Sequence, residues 1–351
     1  MRNLLIITQK VDVNDDVLGF FHEWIREFSK KFGKVTVICL KEGEHHLPAN
    51  VRVLSLGKDK GTPKWRWLFN FYKYIWGERK NYDAIFVHMN PKYVPLGWPV
   101  WKPLGKKISL WYAHGHVPPM LKIADWLTDI AFASTPEGYR LKSKKLKIVG
   151  QGIDVELFKP NYLLPFTDYR YKIISVGRIT PSKDYRTLID AIALLSPSER
   201  VEVEILGSPA KPTDADYLEE MEVLITKNNL GGIVRFIGPV ANKDIVPLLR
   251  AADLFVNMGH TGSLDKAVLE AMACGLHILT CNEAYENILG GYKETLTYPK
   301  RNHELLAQKI KYIMGLSGDE RAKMSADLRE IVVRNHNLEG LINKIARILH
   351  E

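Results

Sequence analysis

The sequence predicts an α/β protein with two doubly wound domains. In both halves of the chain, short buried apolar runs alternate with segments of helical spacing, which is the pattern of parallel strands covered by helices. The 351 residues exceed what one hydrophobic core usually serves. A stretch punctuated by Gly and Pro, residues 151–160, separates the two halves. We therefore expect a first domain over residues 1–155, a second over 165–335 and a final helical segment over 336–351.

The first half predicts a sheet whose strands are joined mainly by helices. Apolar runs predict strands at residues 4–8, 35–40, 51–56, 84–87, 108–112, 130–133 and 146–149. Helical spacing predicts helices at residues 20–31, 64–76 and 117–128. Ligands of doubly wound folds bind at the carboxyl ends of the strands, so polar residues that directly follow a strand are candidates for a site.

Three candidates follow the first and fourth of these strands. Gly19 ends the polar loop after the first strand, where either a tight turn or a close approach to a ligand would require a glycine. His88 and Asn90 follow strand 84–87 and are candidate site residues.

Two histidines follow strand 108–112. Gly115 lets the backbone turn at once, so His114 can lie at the edge of the strand, with His116 as a second candidate. The spacing of the pair also occurs in metal sites, and a hydrogen-bonded structural histidine is a third interpretation. No third ligand lies near in sequence, so we predict no metal site.

Residues 64–76 combine aromatic and basic side chains. Apolar residues at 65, 68, 69, 72, 75 and 76 recur at helical spacing, and those at 67, 71 and 74 widen the apolar surface. Trp and Tyr together with Lys and Arg are typical of a helix that lies in a membrane interface. The alternative is a helix packed on the sheet with its aromatic side chains inside.

The charge is unevenly distributed along the chain. Residues 1–150 carry 25 Lys and Arg against 13 Asp and Glu, a net +12, whereas the remaining residues carry 24 against 27, a net −3. This asymmetry predicts an anionic partner of the first half. We expect an anionic membrane surface or acceptor rather than nucleic acid.

The cysteine content and the lengths of the apolar runs indicate in which cellular compartment the protein resides. Three cysteines without a close pair argue against a disulfide framework and favour a reducing environment. The apolar run at residues 4–7 is too short for a signal sequence, and no run is long enough to span a bilayer. We expect a cytoplasmic protein, with peripheral contact to the inner face of the membrane as a further expectation.

The second half repeats the alternation. Strands are predicted at residues 172–176, 203–206, 234–237, 254–257 and 277–280, with helices between and after them. Arg178 and Lys183 follow the first of these strands. A guanidinium can bind a diphosphate through two parallel hydrogen bonds, and Lys183 adds a compact cation. Only Asp184 lies close enough in sequence to neutralise either, so we expect them to meet an anionic ligand.

Residues 260–279, HTGSLDKAVLEAMACGLHIL, combine a turn, a helix and a strand. The turn of residues 261–263 leads to Ser263 as the expected N-cap of a helix that starts near Leu264, and Gly275 ends that helix. Free N–H groups at such a helix start attract phosphate. Glu270, two turns in, suits a ribose diol. The alternative is that Lys266 and Glu270 form an ordinary surface ion pair.

Residues 269–275, Leu-Glu-Ala-Met-Ala-Cys-Gly, resemble the signature of the family 4 glycosyltransferases, which have the GT-B fold. The family pattern is Glu, seven residues, Glu, and then Ala-Met-Ala-x-Gly. Glu270 matches the second Glu. The first falls at Gly262, which has no carboxylate, and Asp265, the nearest acid, is expected to stand in for it. The segment from Gly177 to Lys183 resembles the donor motif of the family, and residues 152–160 resemble its interdomain connector.

The resemblance implies two Rossmann-like domains that face each other across a cleft, with the final helix crossing back to the first domain. It implies that Gly19 approaches the donor diphosphate and that His114 contacts the donor sugar. It also implies an acceptor region, for which the candidates are His88, Asn90 and His116. The residues implied to hold the rest of the donor are Arg178, Lys183, Ser263, Asp265, Lys266 and Glu270.

The implied activity is transfer of a sugar from a UDP- or GDP-linked donor to a lipid-linked or glycan acceptor, such as a cell-envelope polysaccharide. The resemblance also implies retention of anomeric configuration, no metal and no other cofactor. Two alternatives remain. The missing acid at Gly262 suggests a protein that binds a nucleotide sugar without turnover, and a GT-B epimerase would alter the nucleotide sugar itself.

Overall fold

A computed structural model describes residues 1–161, 170–259 and 262–351. His260 and Thr261, which open the predicted turn, lie outside the described residues, as does the predicted start of the second domain at residue 165. The chain divides into two compact units. The first unit comprises Met1–Gly152, Ala241–Lys243 and Leu338–Glu351, and the second comprises Ile153–Val240 and Asp244–Asn337.

The described residues form twelve strands and twelve α-helices. The strands are β1 (Leu4–Val11), β2 (Val35–Glu42), β3 (Val51–Ser55), β4 (Ala84–His88), β5 (Lys107–Trp111), β6 (Ile130–Ala133), β7 (Leu146–Ile148), β8 (Tyr171–Val176), β9 (Val201–Leu206), β10 (Val234–Gly238), β11 (Leu254–Asn257) and β12 (His277–Thr280). The helices are α1 (Phe20–Ser29), α2 (Lys64–Gly77), α3 (Tyr93–Trp101), α4 (Pro119–Leu127), α5 (Tyr185–Ala193), α6 (Ala215–Lys227), α7 (Ile245–Arg250), α8 (Lys266–Ala273), α9 (Lys293–Leu296), α10 (His303–Met314), α11 (Gly318–Asn335) and α12 (Leu338–His350).

Both sheets are parallel and doubly wound. The first unit has the strand order β3-β2-β1-β4-β5-β6-β7, and the second has β10-β9-β8-β11-β12. The order therefore reverses between β1 and β4 and between β8 and β11, which marks the carboxyl ends of these strands as the expected places for ligands. The two predicted Rossmann-like domains are confirmed.

Alternate side chains of β1 show which helices cover each face of the first sheet. Leu4 and Ile6 are buried with α1 and α12, whereas Leu5 and Ile7 are buried with α2, α3 and α4. Because both faces are covered, central strands such as β1 and β4 contain continuous apolar runs, which explains why they could be predicted from the sequence.

Helix α12 completes the first unit from the far end of the chain. The ring of His350 stacks on Phe32 with centroids 4.7 Å apart, and the Arg2 guanidinium donates to the Leu349 carbonyl at 2.6 Å. The chain enters the second unit at Ile153 and leaves it at Asn337, and these two residues form a parallel bridge.

All eight tryptophans of the chain belong to the first unit, so their fluorescence reports on that unit alone. They are Trp24, Trp65, Trp67, Trp76, Trp98, Trp101, Trp111 and Trp126. Among the described residues, no helix combines the length and the apolar character needed to cross a membrane.

Candidate functional site

The loop after β8 carries the first predicted donor residues. It packs so closely against Gly207, the residue after β9, that a Cβ atom there would fall 1.9 Å from the Gly177 carbonyl oxygen. Gly207 has φ +145°, which also favours glycine. Arg178 is exposed and has no hydrogen-bond or ion-pair partner within the part of the chain that the structure describes. Its guanidinium is therefore available to an anion.

Lys183 lies at the end of the same loop, but it is not unpaired. Its ammonium group is 2.7 Å from Asp265 Oδ1, and its side chain is 13% exposed. The expectation that only Asp184 could neutralise it is wrong, because the β8–β11 pairing brings in a residue 82 positions later. Asp184 instead accepts a hydrogen bond from the Thr187 hydroxyl at 2.7 Å.

The start of α8 differs from the prediction. The N-cap residue is Asp265 rather than Ser263, and the helix begins at Lys266. Ser263 is buried before the helix, where its carbonyl accepts a hydrogen bond from Asn282 Nδ2 at 2.7 Å. That contact holds the chain outside the helix until Asp265. Gly275 follows the helix with φ +77°, which confirms the predicted end.

Glu270 and Lys266 form the i,i+4 pair that the alternative interpretation expected, with Oε1 and Nζ 3.1 Å apart. The pair is not on the surface, since Glu270 is only 2% exposed. Burial of a carboxylate is costly unless other groups compensate it. Glu270 lies near the middle of α8, the helix that follows β11, where the strand order of the second sheet reverses. Its burial at this place makes it a candidate functional group.

The sequence interpretation missed a hydrogen-bonded group behind Asp265. Asn257 Nδ2 donates to Asp265 Oδ2 at 2.9 Å, and the Thr280 hydroxyl donates to Asn257 Oδ1 at 3.0 Å. The Asn282 backbone N–H donates to the Thr280 hydroxyl at 3.1 Å. Asn257 and Thr280 are the last residues of β11 and β12. Their position at the carboxyl ends of buried strands is the signal by which the sequence could have identified these two residues as site candidates.

Gly19 has a structural reason to be glycine. A Cβ atom there would lie 2.5 Å from the Asp15 carbonyl oxygen, to which the Gly19 N–H donates at 3.1 Å. Lys10 pairs with Asp15 at 2.7 Å and fixes the same loop. These contacts favour the tight-turn interpretation.

His114 is oriented by its own loop. Its backbone N–H donates to the Gly138 carbonyl at 2.8 Å, and its Nδ1 accepts from the His116 backbone N–H at 3.0 Å. In the neutral ring the proton is then on Nε2, which acts as a donor. Across residues 1–161, 170–259 and 262–351, no three His, Cys, Asp or Glu side chains are placed to hold a metal ion.

His88 and Asn90 are both buried, which argues against the expected contact with an acceptor. His88 is 2% exposed, its Nδ1 lies 3.2 Å from the Thr8 hydroxyl, and its ring stacks on Phe21 with centroids 4.0 Å apart. Burial lowers its pKa to about 3. Asn90 is buried too, and its carbonyl accepts from the Tyr93 N–H at 3.2 Å, at the start of α3. Both placements favour structural roles over contact with an acceptor.

Helix α2 buries a different face from the one that the spacing suggested. Phe71 and Ile75 face the sheet. Trp65, Phe69 and Trp76 are 65%, 61% and 54% exposed. The alternative in which the aromatic side chains pack inside is therefore wrong for these three residues.

The two doubly wound units have the GT-B fold. The cations and the buried carboxylate lie in the second unit, where its strand order reverses between β8 and β11. The chain belongs to the family described as Glycosyl transferases group 1, whose family model matches residues 164–350.

Similar proteins were found by sequence and by structure. Mannosylfructose-phosphate synthase of Agrobacterium fabrum is 26% identical over 196 residues, which are 51% of this chain and 41% of that protein. D-inositol 3-phosphate glycosyltransferase of Corynebacterium jeikeium is 28% identical over 167 residues, 43% of this chain and 39% of the relative. The chain thus spans less than half the length of these relatives. The solved structure of Anabaena HepE in complex with UDP and glucose has a TM-score of 0.79 at 18% identity, with 100% of both chains covered.

Proposed function

We propose that this protein is a glycosyltransferase that moves a sugar from a nucleoside-diphosphate donor to an acceptor. The observation that carries the proposal is the grouping of Arg178, the Lys183–Asp265 pair and buried Glu270 where β8, β11 and α8 meet. Departure of a diphosphate requires groups that stabilise the developing negative charge before the reaction begins. Arg178, Lys183 and the N–H groups that start α8 are such groups.

The remaining donor contacts are assigned by chemistry. Glu270 would accept hydrogen bonds from the ribose hydroxyls, and Ser263 and Lys266 would line the diphosphate site beside the Lys183–Asp265 pair. His114 would donate from Nε2 to the donor sugar, and the Gly19 loop would approach the diphosphate. We further propose retention of configuration and no requirement for a metal. UDP is the first nucleoside diphosphate to test because the similar HepE structure contains it, and GDP is the second.

A thermal-shift panel of UDP, GDP, ADP and their sugar conjugates, each with and without EDTA, tests the donor site. A ligand of the native state raises the unfolding temperature by mass action. A shift by one diphosphate that persists in EDTA supports a donor site that works without metal. If none of these nucleotides shifts the transition, the proposed donor site is refuted.

Two substitutions test the location of the site. Arg178→Ala and Glu270→Ala should each weaken binding of the stabilising nucleotide by about tenfold or more, as expected for loss of a hydrogen bond to a charged group. Arg186→Ala and Glu222→Ala are matched controls, since both residues lie on exposed helix surfaces of the same unit. Unchanged affinity in both test variants, with circular dichroism as a check of folding, would show that the site lies elsewhere.

One observation favours a second candidate function. Gly262 occupies the position of the first Glu of the family signature and has no side chain. A protein that binds a nucleotide sugar without turnover would give the same nucleotide-induced shift. Release of the nucleoside diphosphate from the bound nucleotide sugar, measured with candidate acceptors, distinguishes the two functions.

We also propose that the first unit contacts an anionic membrane through α2, which would place the protein at the inner face of the cytoplasmic membrane beside a lipid-linked acceptor. Helix α2 contains Lys64, Arg66 and Lys73 and no acidic residue. The Arg66 guanidinium lies over the Trp65 ring, 5.2 Å from its centroid. Helix α4 belongs to the same helical layer and has Trp126 77% exposed. Exposed aromatic rings with flanking cations are typical of a helix in a membrane interface.

Liposome co-sedimentation tests this contact. Vesicles of phosphatidylcholine with phosphatidylglycerol should bind the protein more tightly than pure phosphatidylcholine, and added salt should weaken binding. The triple variant Trp65→Ser/Phe69→Ser/Trp76→Ser should lose binding. Val223→Ser/Ile237→Ser/Tyr312→Ser is the control, because these exposed apolar side chains lie in the second unit. Equal binding to both vesicle types would refute the proposal.

A further inference from the structure

The Lys183 side chain runs past two glycines that leave room for it. A Cβ atom at Gly177 would lie 3.3 Å from Lys183 Cε, and one at Gly259 would lie 3.3 Å from Lys183 Nζ. The Gly259 Cβ would also lie 2.8 Å from Asp265 Oδ2. Neither glycine has a φ in the left-handed region. Their lack of a side chain is therefore explained by neighbouring side chains and not by the backbone: the Lys183–Asp265 pair at Gly259, and Lys183 together with the Tyr185 hydroxyl, also at 3.3 Å, at Gly177.

The Asp265 carboxylate is fixed from both oxygens. Oδ1 accepts from the Lys183 ammonium at 2.7 Å, and Oδ2 accepts from Asn257 at 2.9 Å. The Tyr285 hydroxyl donates to the Asp265 backbone carbonyl at 2.6 Å. These contacts hold the carboxylate against the end of β11. The ammonium group of Lys183, which has three donors, is thereby held at one place with donors to spare.

We propose that Asp265 is a positioning residue that acts through Lys183 and does not replace the carboxylate absent at Gly262 as a contact of the donor sugar. This inference rests on the proposed function. A flexible lysine loses rotamer entropy when it binds a phosphate, and a partner that fixes it beforehand removes that cost from the binding step. Fixed donors also need no reorganisation as charge develops on the leaving diphosphate.

The two roles of Asp265 predict different ligand dependence. A contact to the sugar affects only the nucleotide sugar. A role through Lys183 affects the nucleoside diphosphate and the nucleotide sugar by the same factor, and it spares the nucleoside monophosphate, which lacks the second phosphate. A merely structural role would weaken all three ligands together.

Isothermal titration with UMP, UDP and UDP-glucose, and with the guanosine set GMP, GDP and GDP-mannose, measures this dependence. Asp265→Asn should weaken the diphosphate and the nucleotide sugar by an equal factor of about ten, the loss expected for a misplaced charge-assisted hydrogen bond. The monophosphate affinity should change less than about twofold. In a Lys183→Met background, Asp265→Asn should cause no further loss, since the group through which it acts is gone.

Gly259→Ala gives a second test that changes no charge. Its new methyl group must displace the ion pair, so it should reproduce the ligand pattern of Asp265→Asn even if that variant folds poorly. Asp327→Asn is the control, because it removes an Asp from a Lys–Asp pair, with Lys323 at 2.7 Å, on α11. It should leave all affinities unchanged.

The inference is overturned by a loss confined to the nucleotide sugar, by an equal loss for the monophosphate, by tighter binding, or by losses that add in the double variant. If Arg178→Ala and Glu270→Ala weaken binding while Asp265→Asn and Gly259→Ala do not, only this inference fails. If the wild-type protein binds none of the six ligands, the proposed function fails and the inference falls with it.

Discussion

His88 shows how one buried side chain makes stability depend on pH. Burial lowers its pKa to about 3 in the folded state, against 6.5 for an ordinary histidine. Below pH 6.5 the unfolded chain binds a proton that the folded chain does not, so the free energy of unfolding falls as the pH falls. Above pH 6.5 both states are neutral and the contribution to stability is fully present.

We expect the wild type to lose about 2 kcal/mol of stability through this group between pH 7 and pH 5. His88→Phe should not show that loss. Denaturant unfolding followed by tryptophan fluorescence measures the first unit, which contains His88. His46→Phe is the control, because His46 is exposed and should leave the pH dependence in place. An unchanged slope in His88→Phe would contradict the assignment.

At the residue scale, the sequence located the cations and the acid of the candidate site but not their partners. Arg178, Lys183 and Glu270 follow predicted strands or match a motif. The pairing of Lys183 with Asp265 depends on β8 lying beside β11, which no local pattern encodes. The burial of His88 was not predicted for a related reason. A polar residue after a strand faces either a site or the core, and only the packing of α1 decides between them.

At the scale of elements, α12 gives a test of how distant parts of the chain support each other. Ile345 is fully buried in the core of the first unit, although its helix follows the second unit in sequence. Ile345→Ala should lower the free energy of unfolding by about 2–5 kcal/mol, the range for a truncated core side chain.

The tryptophan-monitored transition measures this loss. Lys344→Ala, on the exposed side of α12, should change stability by less than about 0.5 kcal/mol. If Ile345→Ala shifts only a transition that tryptophan fluorescence does not detect, α12 does not stabilise the first unit.

Strands were easier to predict than helices. All twelve strands lie within a few residues of the predicted positions. Central strands such as β1 and β4 contain continuous apolar runs that are buried on both faces, whereas the edge strands β3 and β10 each carry a charged residue among their apolar ones. Helix α3 was not predicted because two prolines and a glycine obscure its helical spacing. The glycine, Gly97, has a packing role, since the Trp101 ring occupies the space that a Cβ atom would need. Helix α2 was found, but a helix that is apolar around most of its circumference does not reveal which face the sheet will cover.

At the scale of the whole molecule, the two units should respond differently to a nucleotide. Arg178, Lys183, Asp265 and Glu270 all belong to the second unit. A nucleoside diphosphate at 100 times its Kd should stabilise that unit by about 2.7 kcal/mol. Calorimetry should detect the shift, while the tryptophan-monitored transition should shift less, because only Gly19 and His114 among the proposed donor contacts lie in the first unit. A nucleotide that moves the tryptophan transition by the same amount would contradict a donor site held mainly by the second unit.

The division into two units was predictable from length and alternation, and the uneven charge pointed to the half that carries α2. The order of strands within each sheet was not, because it depends on pairings between residues far apart in the chain. Only the family resemblance predicted that α12 returns to the first unit. The sequence of α12 indicates an amphipathic helix but not which unit its apolar face packs against.

The bridge between Ile153 and Asn337 has a consequence for the gene as well as for the fold. A Cβ atom at Gly152 would lie 3.4 Å from the Leu338 Cα, so the two ends of the interruption in the first unit nearly touch. Apart from Ala241–Lys243, which belong to the first unit, the chain between these ends is a cassette inserted into the reading frame of the first unit. A shortened gene that joins codon 152 to codon 338 through a brief linker would encode the framework of the first unit with all eight tryptophans, without Ala241–Lys243. By the same geometry, recombination could exchange the cassette and leave the host framework intact.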